Sequence, residues 1–216
     1  MTVLVIKLQA VVEVPAFDAE PPPPWPVARM TARSWLALGT DSTDEQVGLF
    51  VAALAHPLDV AAPGGRDEVV DTLLAQEVLV VPGGLRPVDT VTGMAVVPGC
   101  CAGLEDWREW AQVIAGGTPW LGHDPGPEIE VVGDELRVWQ HGGPDRQQSR
   151  SADANVVVPR LALPGLLTDV QRDLAGFLAA LEAWTIRMGL EERGRALVRA
   201  VDRNFAITAP LDLPAG

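Results

Sequence analysis

VVPGCCAGLEDWREWAQVIAGGTPWLGHDPGPEIEVVGDELRVW, residues 96–139, is the stretch on which the fold turns. It holds both cysteines, four of the seven tryptophans and one of the three histidines. Leu104, Trp107, Ala111 and Ile114 recur at helical spacing, with Trp110 flanking the stripe. That pattern predicts an amphipathic helix over 103–115. Glu105 and Asp106 fall in its first turn, where unpaired N–H groups favour carboxylates. Gly116-Gly117 and then Pro119 end it, because Gly accepts the left-handed cap and Pro cannot continue the helix. Each indole can bury about 150–250 Å², which makes this helix a packing centre. A Pro/Gly loop, 118–127, carries Trp120, His123 and Asp124. EIEVV-GD-ELRVW then predicts a β-hairpin, with apolar residues alternating on both sides of a Gly133-Asp134 turn of the II′ type.

Outward from this centre, residues 2–14 are rich in Val, Leu and Ile and predict a first strand. Asp18–Pro26 contains PPPPWP, a polyproline II element that reads as a stiff connector packing Trp25 onto the body. The segment 31–38 fits a short helix or a strand. Ser42…Glu45 and Thr43…Gln46 both fit a capping box, so a helix starts there, with Val47, Phe50, Val51 and Leu54 inward. His56-Pro57 closes it. A second helix is predicted over 67–76, followed by strands at 78–81 and 92–97 about a Pro82-Gly83-Gly84 turn. The segment 142–154 reads as an exposed loop and 155–160 as a strand. Thr168 with Gln171 makes a further capping box. From there Val170, Leu174, Phe177, Leu178, Leu181, Trp184 and Met188 hold helical spacing until Gly189, and a last helix covers 190–204. The expected fold is α+β: a mostly antiparallel sheet packed against several helices, including a long C-terminal helix pair. Residues 1–30 read as an N-terminal strand and proline-rich appendage, and 31–216 as one α+β domain.

The 216-residue chain is long enough to bury a core without metal or disulfide staples. Its net charge of −13 opposes general nucleic-acid binding, which needs a basic face, and adsorption to anionic membranes. Helix, helix, strand, turn, strand is also the order of a winged helix. The would-be recognition helix, however, sets Asp67, Glu68 and Asp71 against Arg66 alone. The segment from Arg187 to Arg203 carries five arginines against three acids and reads as a solvated helix surface. No run approaches 18 apolar residues, and the N-terminus lacks a basic region and a small-residue cleavage site. Two sequence-adjacent cysteines are no secreted disulfide framework, which points to a reducing cytoplasm.

Chemistry concentrates at Cys100-Cys101. A thiol before a helix start has its thiolate stabilised by the N-terminal field, while Glu105 and Asp106 push the other way. The competing reading is a pair of small buried hydrophobes. Adjacent cysteines close a small, strained disulfide ring. Cys100, Cys101, His123 and Asp124 are the candidates for a metal site; against that reading, structural zinc sites space their cysteines by two to four residues. In an extended chain adjacency also points successive side chains apart. His123-Asp124 reads either as an acid/base pair or as turn residues. Trp120, His123 and Asp124 are the candidate binding residues. The sequence holds no P-loop, G-x-G-x-x-G, G-x-S-x-G or H-E-x-x-H, and no cofactor is expected.

The short aromatic helix, the Pro/Gly loop, the hairpin ending in Trp139 and a late helix Asp173-Leu174…Phe177-Leu178…Leu181 together resemble the SUKH-type superfamily over roughly 95–190. These are bacterial α+β proteins, many of which are immunity proteins that neutralise secreted toxins. GCCAGLEDWREW also resembles proteins of GC-rich bacteria, a likeness that implies no activity. The SUKH-type resemblance implies a cytoplasmic, non-enzymatic protein whose acidic surface sequesters a basic protein partner, and it carries over no functional residue. Two other readings stay open: a small enzyme or metal-binding protein using Cys100, Cys101, His123 and Asp124, and a structural or scaffold subunit. The oligomeric state is not legible.

Overall fold

The computed structural model describes residues 6–17, 22–58, 65–123, 125–142 and 155–213. The fold is α+β. The strands are β1 (Ile6–Glu13), β2 (Trp35–Ala37), β3 (Gly83–Asp89), β4 (Glu128–Val132), β5 (Glu135–Trp139) and β6 (Asn155–Pro159). The helices are α1 (Asp44–Ala55), α2 (Arg66–Leu74), a 3-10 helix over Leu104–Ala115, α3 (Leu163–Arg187) and α4 (Glu191–Phe205). Two three-stranded sheets result, ordered β2-β1-β3 and β4-β5-β6. The chain divides into two compact units. One holds residues 1–11, 82–171 and 210–216; the other holds 12–81 and 172–209.

In the first unit the hairpin forms as its alternation predicts. Val132 pairs with Glu135 across the turn, Ile129 with Val138, and β6 adds antiparallel to β5 with Leu136 opposite Val158. Gly133 has φ +58°, which the first central position of a II′ turn requires. Leu136, Val138, Val156 and Val158 face the core. The helix over Leu104–Ala115 departs from expectation in its winding. Leu104, Trp107, Trp110 and Val113 are all at most 3% exposed, a repeat of three rather than 3.6. A 3-10 helix superimposes residues three apart, so it puts both indoles on one buried line. Gly116, at φ +84°, caps it, and the Gly117 N–H returns to the Gln112 carbonyl.

The second unit is built on helices. Thr43 and Gln46 close the capping box of α1; Ser42 instead accepts the Gly39 N–H. Phe50 meets Phe177 edge-on at 4.9 Å and Phe205 at 6.3 Å, while Trp25 stands perpendicular to Trp184 at 5.3 Å. Trp25 is buried and its indole N–H donates to the Gly48 carbonyl. A Cβ on Gly48 would come within 2.3 Å of the Pro26 carbonyl, so this mid-helix glycine is what lets the proline-rich segment lie down. Arg66 holds the same segment through the Pro24 carbonyl.

Several expected boundaries shift. The Gly83-Gly84 pair begins β3 instead of forming a turn. Residues 78–81 form no strand, and the Leu79 N–H is taken by the Asn204 side chain. The actual turn is Asp89–Gly93, where the Asp89 carboxylate accepts the Val91 and Thr92 N–H groups. The strand expected at 92–97 reduces to an isolated bridge between Val88 and Ala95, so the helix–helix–strand–turn–strand order of a winged helix stops after β3. The long helix starts at Leu163, not Thr168, because Pro164 suits a first turn. Thr168 sits inside it with its hydroxyl donating back to the Pro164 carbonyl. Gly189, at φ +71°, ends the helix as expected. The predicted loop 142–154 lies, beyond Gly142, outside the described residues.

Candidate functional site

Two loops of the first unit converge on the residues singled out in the sequence. The segment entering the 3-10 helix carries Pro98 to Gly103, and the segment leaving it carries Pro119 to Pro127. The Gly99 N–H donates to the Leu121 carbonyl, and the His123 N–H donates to the Cys100 carbonyl, both at 2.9 Å. Between these bonds the backbones nearly touch. A Cβ on Gly122 would lie 2.6 Å from the Gly99 carbonyl carbon, and one on Gly99 would lie 2.7 Å from the Leu121 oxygen. Gly122 also holds φ +112°, which side-chain-bearing residues rarely adopt. Upstream, the Gln140 amide both accepts the Val97 N–H and donates to the Val97 carbonyl, fixing the loop at its root.

This frame brings Cys100, Cys101, Trp120 and His123 together. Both cysteines are free and exposed, which overturns the reading of a buried apolar pair. The physical reason is Cys101, whose φ of +65° breaks the alternation of an extended chain and turns both thiols to one side. The sulfurs stand 3.4 Å apart. The Cys100 thiol, by hydrogen bond and then by repulsion, pushes the Cys101 thiol above its ordinary range, so the helix start does not yield an activated Cys101 thiolate. Trp120, 42% exposed, donates its backbone N–H to Glu109 and its indole N–H to the Cys101 carbonyl. Its ring meets the His123 imidazole edge-on at 5.0 Å. The imidazole makes no hydrogen bond with either thiol among the described residues, so the pairing of a Cys nucleophile with a His base is not formed. Asp124 lies outside the described residues. Among those that are described, no three His, Cys, Asp or Glu side chains are grouped to hold a metal ion.

Beneath the loops lies a cavity of about 20 Å³, lined by Leu85, Val96, Asp106, Trp107, Trp110 and Trp120 among others. That is room for about one water, far below the ~300 Å³ at which small-molecule pockets begin. Burial, and secondarily Glu109, push the Asp106 carboxyl above the usual carboxylate range.

The second unit has a feature of another kind, an open depression of about 700 Å³ where α2 meets the start of α4. Asp67, Asp71, Glu191 and Glu192 line it, with Arg193 as the one opposing charge among its lining residues. Arg193 is itself committed, gripping both oxygens of Asp71 (2.7 and 3.1 Å) and reaching Asp67 at 3.1 Å. Its hydrogen bond holds the Asp71 carboxyl below the ordinary range. Arg187 is likewise paired, with Asp44 on α1.

Comparison with family models, with curated proteins and with solved structures finds no match. The site therefore stands on its own geometry. Sequence reasoning brought out Cys100, Cys101, Trp120 and His123 but missed Gly99 with Gly122, Glu109, Gln140 and the acidic depression. The two glycines, each beside a singled-out residue, were the available signal for the first pair. Nothing local marks Glu109 or Gln140.

Proposed function

We propose that this chain is a non-enzymatic acidic protein that sequesters a basic protein partner in the cytoplasm, in the manner of an immunity protein. The observation that carries this reading is the depression between α2 and α4. Four exposed carboxylates line it, and its one arginine is already neutralised by two of them. A concave surface of one sign focuses the field and speeds encounter with an oppositely charged partner. The net charge of −13 and the SUKH-type resemblance support the same reading. No described helix is long and apolar enough to cross a membrane.

The test uses Glu191→Gln with Glu192→Gln, since neither carboxylate takes part in an ion pair among the described residues. The tagged native chain is expected to retain a basic protein from its own host at low salt, with association slowing about tenfold in the double variant. Release by high salt should accompany it. Equal retention and equal on-rates for both chains would remove the depression from the mechanism; no retained basic protein would remove the reading itself. A second reading, a small metal- or metalloid-binding protein, rests on the exposed, convergent thiols of Cys100 and Cys101.

A further inference from the structure

The paired thiols lie outside the acidic depression, and protein sequestration makes no use of them. In an extended chain, neighbouring side chains leave on opposite faces. Cys101 escapes this through its left-handed backbone, a region that a residue other than glycine seldom occupies. The surrounding loop holds it there. Gly99 and Cys100 are bonded to Leu121 and His123, Gly99 faces Gly122 backbone to backbone, and the Cys101 carbonyl accepts the Trp120 indole N–H. A strained residue that its neighbours over-determine is a mark of a working site.

Two sulfurs 3.4 Å apart and open to solvent can grip one atom between them. Disulfide closure fits poorly, because adjacent Cα atoms stand ~3.8 Å apart and unstrained disulfides begin at ~4.4 Å. Zinc fits poorly too. Tetrahedral bonds of ~2.3 Å would spread two sulfurs to about 3.8 Å and ask for four ligands. No third side chain of the zinc-binding types is grouped with the pair among the described residues. A pyramidal centre is different: two bonds of about 2.3 Å meeting near a right angle span about 3.3 Å, close to the separation present.

We propose that Cys100 and Cys101 form a chelating site for a thiophilic trivalent metalloid, arsenic(III) or antimony(III), with its third valence pointing away from the protein. With an organoarsenic oxide, two As–S bonds form while two S–H bonds and the As=O bond break. Both protons leave with the oxygen as one water. Nothing is oxidised or reduced, and no further reactant is needed.

The experiment titrates the folded full-length chain with phenylarsine oxide. Intact mass is expected to show one phenylarsenic group per chain with two hydrogens lost, both thiols vanishing together from thiol titration. Excess glutathione should leave the adduct in place, and 2,3-dimercaptopropanol should strip it. Cys100→Ser and Cys101→Ser should each yield an adduct that glutathione removes. Because the fold has already set the bite, the folded chain should bind about tenfold or more tightly than the same chain in concentrated urea. Equal affinity in the folded and unfolded chain, or loss of the native adduct to glutathione, overturns the proposal.

Discussion

The thiol loops of the first unit and the acidic depression of the second are both polar, exposed and close to a helix start, yet they are held by opposite means. Backbone places the thiols: two inter-loop hydrogen bonds and a glycine–glycine approach with no room for a Cβ. Side-chain charge organises the depression, where Arg193 ties Asp71 and Asp67 with all three side chains roughly half exposed. A backbone device is rigid, indifferent to salt and intolerant of one added methyl. A charge device is tunable, screened within about 8 Å at physiological ionic strength, and forgiving of substitution.

The largest effect that would break this contrast lies at Gly122. Gly122→Ala sets a methyl against the Gly99 backbone at a φ of +112°, and we expect a loss of about 2–4 kcal/mol in urea unfolding. A loss below about 0.5 kcal/mol, the range of an ordinary surface change, would mean that the two loops are not locked.

Next in size is a pair of opposite pH responses. Asp106 has a raised folded-state value from burial and from Glu109, so the unfolded chain gives up this proton first. Stability should fall as pH rises from the ordinary 3.8 through the folded value, and Asp106→Asn should flatten that fall. Asp71, held low by the Arg193 hydrogen bond, works in the other direction. Its contribution is full above 3.8 and is lost as pH drops through the folded value; Asp71→Asn should remove that acid-side loss. Unfolding midpoints between pH 2 and pH 6 decide both, and slopes of the same sign would contradict the contrast.

The smallest effect belongs to Arg193→Gln. The thermal midpoint should drop slightly at low salt, and the drop should disappear at high salt, since exposed ion pairs are weak and screened. A salt-independent drop would show that Arg193 matters through packing rather than charge.

Much of the fold was legible because it is written in local patterns. The hairpin at 128–139 follows from period-two alternation about Gly133-Asp134, and the helix at 44–55 from Thr43 and Gln46. Where long-range partners compete, local reading failed. Asn204, far along the chain, takes the backbone N–H that a strand at 78–81 would need. Trp107 and Trp110 pull the helix over Leu104–Ala115 into a three-residue repeat that spacing alone presents as 3.6.

The site divides in the same way. By itself the sequence determined that two thiols, an indole and an imidazole sit on short loops either side of one aromatic helix. It also determined the net charge of −13, because residue identity needs no folding to be counted. Only the tertiary structure decided that Gly99 meets Gly122, that Cys101 turns left-handed, and that α2 carries its acids to those of α4. Those are contacts between residues distant in sequence, and a side chain's direction depends on the backbone conformation that such contacts select.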